Sequence, residues 1–340
     1  MRRLFSYEFT HDWSWSLVIG ALLKCLGERW DIVRAFPETN LAQMQAIQRA
    51  FDVTLCQHMS GVARMIDAAK VVTRIGGVKT FKGDYHRFDG DLSSVYAVIA
   101  TNRALYNIAA RVNPRVYLIP NGLDLDEWAP VWVPGRFPGR FVVGFAANIT
   151  PPGYREYKGY DLVHEAARQL RVPVTEALFG VDQLPHDTMR DTFYRHISVL
   201  VHPTAGEGCS NVVMEALACG VPVITTREAG YHGEMLRDGV DAIFCERTAM
   251  SVMAAIKRVM CNDDLRRRLS INGRKFAEMH HDIRPIAAQY QEIFDACVEH
   301  NRALRVAEMA DRMLGMPDGS TVNVPNAALA EMRALLKEAV

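Results

Sequence analysis

Short apolar runs alternate along this chain with stretches in which apolar residues recur every three or four positions. The runs predict strands over 4–7, 31–35, 53–56, 70–74, 97–100 and 116–119. The stretches between them predict helices over 16–26, 40–50 and 102–111. After residue 140 the alternation resumes, with strands expected over 141–146, 174–179, 199–202 and 221–224. Helices are expected near 160–170, 189–196, 212–218, 250–261, 263–279 and 285–313. Strands that alternate with helices predict parallel sheets covered on both faces. Between the two blocks, 129–140 holds Pro130, Pro134, Gly135, Pro138 and Gly139, the composition of a linker. The expected division is therefore a first domain over 1–128, a linker over 129–140, a second domain over 141–300 and a helical extension over 301–340. Within that extension Asn326 is placed to cap a last helix. Its Ala/Leu/Met stripe suits packing on the body or on a second subunit, so a homodimer through it is one reading.

The most informative segment runs from Ala205 to Ile224. Two carboxylates, Glu207 and Glu215, stand seven residues apart. A small polar turn of Gly208, Cys209 and Ser210 leads from the first into an apolar helix that carries the second. Gly220 ends that helix, and Val221-Pro222-Val223-Ile224 opens a buried strand. The first N–H groups of a helix lack intrahelical partners and carry partial positive charge, which makes the start of a helix beside a parallel sheet an anion site. Ser210 and Asn211 are N-cap residue types, and Gly206 and Gly208 allow close backbone approach. A carboxylate one turn into the helix, as Glu215 is, suits the vicinal diol of a ribose.

Gly206-Glu207-Gly208 and the run from Glu215 to Val223 resemble the E-x7-E signature of retaining GT-B glycosyltransferases related to glycosyltransferase family 4. Other segments agree. Val116-Tyr117-Leu118-Ile119-Pro120-Asn121-Gly122-Leu123-Asp124 resembles that family's segment leading into its second domain. The strand from Phe141, followed by Lys158-Gly159, resembles its donor-site strand and Lys-Gly. His202-Pro203-Thr204 stands where the family often has Pro-Ser. Ala229-Gly230-Tyr231-His232-Gly233-Glu234 resembles its later Gly-rich loop. The resemblance is strong over 116–245, weak over 1–115 and absent beyond about 300.

The resemblance implies an α/β chain of GT-B type, with two Rossmann-like domains facing each other across a cleft. It also implies transfer of a sugar from a nucleotide-sugar, UDP being the commonest class, to a hydroxyl acceptor with retention of configuration. Glu215 would bind the ribose, and Glu207 would contact the donor sugar or stabilise the transition state. Lys158, the helix start at Ser210 and Asn211, Gly208 and Gly230 would meet the diphosphate and sugar, with Ala229–His232 beside the sugar. Where the family usually has an arginine this chain has Asn148, and Arg155 is a candidate replacement. No His/Cys cluster of ligand spacing occurs, and neither a metal nor another cofactor is expected. His280-His281 reads as a surface pair.

A 340-residue chain that is 49% hydrophobic has enough apolar material for two cores, which excludes the disordered class. A formal net charge of +0 disfavours a long phosphate backbone as the partner of the whole chain. Seven scattered cysteines without a C-x-x-C read as reduced thiols. Acidic Glu8 and Asp12 interrupt any signal-peptide pattern, and 15–23 is too short to span a bilayer. A cytoplasmic protein is therefore expected. On the acceptor side the candidates are His11, Asp12, Trp13 and Trp15, where indole rings suit sugars or bases. A basic patch of Arg74, Lys79, Lys82, His86 and Arg87 is a further candidate, with His86 and His58 as possible donor-side histidines. A glycan, a lipid-linked sugar, a protein or modified nucleic acid remain open as acceptors. Two alternatives to transfer also remain: a nucleotide-sugar-binding module without turnover, and a nucleotide-sugar epimerase.

Overall fold

The computed structural model describes residues 1–314 apart from 9–13, 37–38, 58–61, 63–64, 66, 78–82, 132–139 and 182–183. His11, Asp12, Trp13, His58, Lys79, Lys82, most of the expected linker and the expected last helix lie outside the described residues.

The first sheet contains β1 (Arg2–Tyr7), β2 (Trp30–Ala35), β3 (Val53–Cys56), β4 (Val71–Ile75), β5 (Ala97–Ala100) and β6 (Val116–Leu118). All are parallel, in the order β2-β1-β3-β4-β5-β6. The helices of this half are α1 (Ser14–Leu26), α2 (Leu41–Ala50), α3 (Asp89–Ser94) and α4 (Arg103–Ala110). Strands β3, β4 and β5 are buried along their whole length, as central parallel strands are when both faces are covered. The second sheet contains β7 (Val143–Asn148), β8 (Val174–Phe179), β9 (Val199–His202), β10 (Val223–Thr225) and β11 (Ile243–Phe244), parallel in the order β11-β10-β9-β7-β8. Around it lie α5 (Tyr154–Lys158), α6 (Tyr160–Leu170), α7 (Met189–Thr192), α8 (Asn211–Ala218), α9 (Tyr231–Met235), α10 (Ala249–Met260) and α11 (Asp263–His280). A long helix, α12 (Ile283–Leu314), follows. The expected α/β architecture of two Rossmann-like domains is what the chain forms.

Each sheet has one place where the strand order reverses, and such points collect ligands in open α/β folds. In the second sheet it falls between β7 and β9. The chain leaving β7 runs to Lys158, and the chain leaving β9 runs to Glu207. In the first sheet it falls between β1 and β3.

At two places the chain crosses from one core into the other. From Ile283 onward the chain packs into the first core, where Ile283, Ile286, Tyr290, Ile293, Phe294 and Cys297 join Leu4, Leu22, Trp30 and Val53. The Trp30 ring meets Phe294 edge-on at 5.8 Å, and its Nε1–H donates to Gln291 Oε1 at 2.6 Å. Arg2 pairs with Asp295 and Glu299. In the other direction, Leu123, Leu125 and Trp128 leave the expected first domain and enter the second core. The two crossings are joined: Leu123 N–H donates to His281 O at 2.8 Å, and Ile283 N–H to Leu123 O at 3.0 Å. The reason is that α12 carries its own apolar stripe, and the face of the first sheet packed by α1 has room for it.

The domains also touch at the segment carrying Glu207. A Cβ on Gly208 would lie 1.7 Å from Gly76 O and 2.7 Å from Thr101 Oγ1, so only glycine fits there. Asn102 Nδ2 donates to the carbonyls of Glu207 and Gly208 at 3.1 Å each. Asn121 Nδ2 donates to Cys209 O at 3.0 Å, and Arg74 donates to Asn121 Oδ1. Glu234, from the second domain, accepts the Arg103 N–H at the start of α4 at 3.0 Å.

Truncating Phe294 to Ala should destabilise the protein by about 3–5 kcal/mol, the cost of emptying a core aromatic site, as read from urea unfolding followed by tryptophan fluorescence. An unchanged midpoint would mean that α12 is an appendage. Gly208→Ala should lower the thermal midpoint by at least roughly 5 °C and raise the radius of gyration in small-angle scattering, because the methyl forces the domains apart.

Candidate active site

At the end of β7, Asn148 Oδ1 accepts from Thr150 N–H at 3.0 Å and Thr150 Oγ1–H at 2.8 Å. This local turn re-aims the chain toward α5, whose last residue is Lys158. Arg247 braces that end of α5. Its Nε–H donates to Pro203 O at 3.1 Å and its Nη2–H to Glu156 O at 2.5 Å. One guanidinium therefore ties the loop after β7 to the loop after β9, and its charge suits the carbonyl end of a helix.

Across the switch point, Lys158 Nζ lies 2.5 Å from Glu207 Oε1. The same oxygen accepts from His202 Nε2 at 3.1 Å and from Thr204 Oγ1 at 3.3 Å. Burial alone would raise the Glu207 pKa, but the Lys158 charge and the His202 hydrogen bond outweigh it and hold the carboxyl down at about 2. Glu207 is therefore an ionised acceptor at neutral pH and no proton donor. Burial pulls the His202 pKa down, so this ring is neutral.

Glu215 sits in the second turn of α8 and is 2% exposed. His186 Nε2 bonds one of its oxygens at 2.8 Å, and the Tyr194 hydroxyl donates to the other at 2.8 Å. Trp128 packs on both partners, with ring centroids 5.3 Å from His186 and 5.9 Å from Tyr194. The carboxylate is thus oriented on both sides, and a carboxylate has further lone pairs for a diol.

The other expected residues fall out as follows. Ser210 is the N-cap of α8, but its side chain makes no capping bond; its Oγ lies 3.3 Å from His202 Nε2. Asn211 Oδ1 accepts from Asn121 at 2.6 Å and so belongs to the domain contact. Gly230 has φ 65°, and a Cβ there would lie 2.2 Å from Gly208 O; the next N–H, of Tyr231, donates to that carbonyl at 2.8 Å. Gly230 therefore supports the Glu207 loop from behind. Arg155 Nη2 donates to Asp161 Oδ1 at 2.6 Å and stacks on Tyr160, so its guanidinium is committed there rather than to Lys158 and Glu207. His86 pairs with Asp89 at 2.8 Å and is exposed, whereas Arg74 is buried at the domain contact, so the two do not form one basic surface. Trp15 lies in the first turn of α1.

The side chains of Tyr231 and His232 are 6% and 0% exposed, because α9 turns them into the interior. One expectation is overturned: the His280-His281 pair is not a surface pair. His281 is fully buried at the crossing into α12, and its Nδ1–H donates to Asn121 O at 2.7 Å. Burial keeps it at about 4 and raises the Cys209 thiol to about 12. His186, Tyr194, Arg247, Asn102 and the group of Cys209, His232 and His281 were missed in the sequence. None is next to its partner along the chain, and only His202, a polar residue ending an apolar strand, carried a local signal.

Residues 176–276 match the family model "Glycosyl transferases group 1". An 88-residue segment is 35% identical to an uncharacterised glycosyltransferase of Methanocaldococcus jannaschii, covering 26% of this chain and 25% of that protein. Another, of 87 residues, is 33% identical to the capsular polysaccharide biosynthesis glycosyltransferase CapM of Staphylococcus aureus, covering 26% and 23%. The chain thus spans about a quarter of the length of the curated relatives it matches. Among solved structures, sucrose-phosphate synthase from Thermosynechococcus elongatus superposes with a TM-score of 0.69 at 15% identity, over 87% of this chain and 100% of that one. HepE from Anabaena, solved in complex with UDP and glucose, gives 0.65 at 15% identity over the same shares. The fold is GT-B, and its second domain carries the region that matches the group 1 glycosyl transferases.

Proposed function

We propose that the chain is a retaining glycosyltransferase that moves a hexose from a nucleotide-sugar, UDP-linked, to a hydroxyl acceptor. The observation that carries this reading is the meeting of Lys158 and Glu207 at 2.5 Å on the switch point of the second sheet, with Glu215 behind them on α8. Lys158 and the start of α8 supply the positive field for a leaving nucleoside diphosphate, so the reaction is read as independent of a metal. Glu215 takes the ribose diol. Glu207, ionised, accepts from donor-sugar hydroxyls and stabilises positive charge growing at the anomeric carbon. Held at about 2 beside Lys158, Glu207 is too weak a base to take the acceptor's proton, so the departing phosphate oxygen takes it on the same face, which gives retention without a protein nucleophile. The bound ligands named for HepE support UDP as the carrier.

A second reading, a nucleotide-sugar-binding module without turnover, draws on Arg155 being held by Asp161. Release of UDP from UDP-sugars without an acceptor separates the two: turnover above background supports transfer, and binding with no release supports the module.

Glu215→Ala should weaken UDP binding by about 100-fold in calorimetry, the loss of two hydrogen bonds to a charged group at roughly 1.5 kcal/mol each. Glu207→Gln should bind the donor within a few-fold of wild type yet transfer sugar about 100-fold more slowly. A wild-type rate would remove Glu207 from the chemistry.

His186 gives a pH signature. Burial works to lower its pKa, but the Glu215 carboxylate outweighs that and raises it above 6.5. A raised folded-state pKa means that the pair stabilises fully below about pH 6.5 and less as pH rises through the raised value. The thermal midpoint of wild type minus that of His186→Asn should therefore be largest below pH 6.5 and shrink toward alkaline pH. A difference that grows with pH would contradict the pairing.

A further inference from the structure

Three potential ligands converge behind the Glu207 loop from segments far apart in the chain. Cys209 lies on the turn into α8, His232 on α9, and His281 at the crossing into α12. Their ligand atoms lie within 4.8 Å of one another, and all three residues are buried.

The surroundings orient this group. The Asn121 carbonyl takes the His281 Nδ1 proton at 2.7 Å, which leaves the Nε2 lone pair of His281 facing the cluster. His232 Nε2 lies 3.1 Å from His281 Nε2. Two imidazole nitrogens at ordinary bond lengths on one tetrahedral ion stand about 3.3 Å apart, so little movement separates this contact from shared ligation. His232 Nδ1 is buried and has no hydrogen-bond partner among the described residues, so among them the ring's one ring-nitrogen bond is the one to His281. Glu207 and Glu234 add negative potential at Cys209, with Arg74 opposing them.

We propose that Cys209, His232 and His281 form a His2Cys site for one thiophilic d10 cation, zinc first, which pins the Glu207 loop and α9 to the crossing between the domains. Binding replaces the thiol proton, which leaves to solvent, by a metal–sulfur bond; the His232 proton moves from Nε2, where it bonds His281, to Nδ1, and a water completes four-coordination on zinc. One thiolate and two imidazoles suit Zn2+ or Cu+ and do not suit Mg2+ or Ca2+. The ion is structural: its Cys209 ligand lies on the turn directly before the start of α8, and its ligands do not include Lys158, Glu207 or Glu215, so the site holds whether or not the chain transfers sugar.

The test is elemental analysis of the full chain, purified without a histidine tag from cells grown with added zinc. About one equivalent of zinc per chain is expected, falling at least tenfold in Cys209→Ser and in His281→Gln, with each variant's folding checked by circular dichroism. Copper in place of zinc supports the same site with the smaller ion charge. A measurement on wild type alone covers the case where the variants misfold: Co2+-exchanged protein should show a thiolate-to-cobalt charge-transfer band in the near ultraviolet. Less than a tenth of an equivalent of either metal after incubation with zinc, or zinc retained in Cys209→Ser, overturns the proposal. So does a cobalt spectrum without the thiolate band.

Discussion

The contact of Gly208 with Gly76, backbone against backbone across the two domains, is the constraint on which the rest of the site depends. It brings the loop after β9 close enough for Asn102 and Asn121 to take the carbonyls of Glu207, Gly208 and Cys209. A buried carbonyl without a donor is costly, so these two side chains stabilise this one path of the loop over its alternatives. Gly230 closes the same loop from the opposite side. The Glu207 carboxylate is therefore placed by backbone geometry from both domains and does not depend on its own rotamer alone.

Charge placement follows the same logic. A carboxylate removed from water is tolerated only with partners. Glu207 has Lys158, His202 and Thr204; Glu215 has His186 and Tyr194. Each of those partners is in turn held by elements of the second domain, with Arg247 clamping the carbonyl end that presents Lys158. The partners keep both acids oriented, which matters more for recognition than the modest net stability of such pairs.

The domain arrangement rests on a paired crossing. The outgoing strand of chain at Leu123 and the returning one at His281 to Ile283 bond to each other, and α12 then buries its apolar stripe in the first core. These two backbone bonds tie the outgoing and returning crossings to each other. They also explain why Asn121 and His281, neighbours in space, sit beside the Glu207 loop.

Much of this was legible in the sequence. Strands β3, β5, β8 and β9 and helix α6 follow directly from apolar periodicity, Glu207 and Glu215 from their spacing around a helix start, and Lys158 from the family resemblance of Lys158-Gly159. Local order of that kind is set by side-chain period and by capping, which adjacent residues decide. What only the tertiary structure decided are the partners: His186 and Tyr194 on Glu215, Asn102 and Asn121 on the loop carbonyls, Arg155 turned to Asp161, and His281 drawn inside when its pair was expected at the surface. These depend on which segments the two cores bring together. Burial and hydrogen-bond satisfaction are properties of that packing, and no spacing along the chain encodes them.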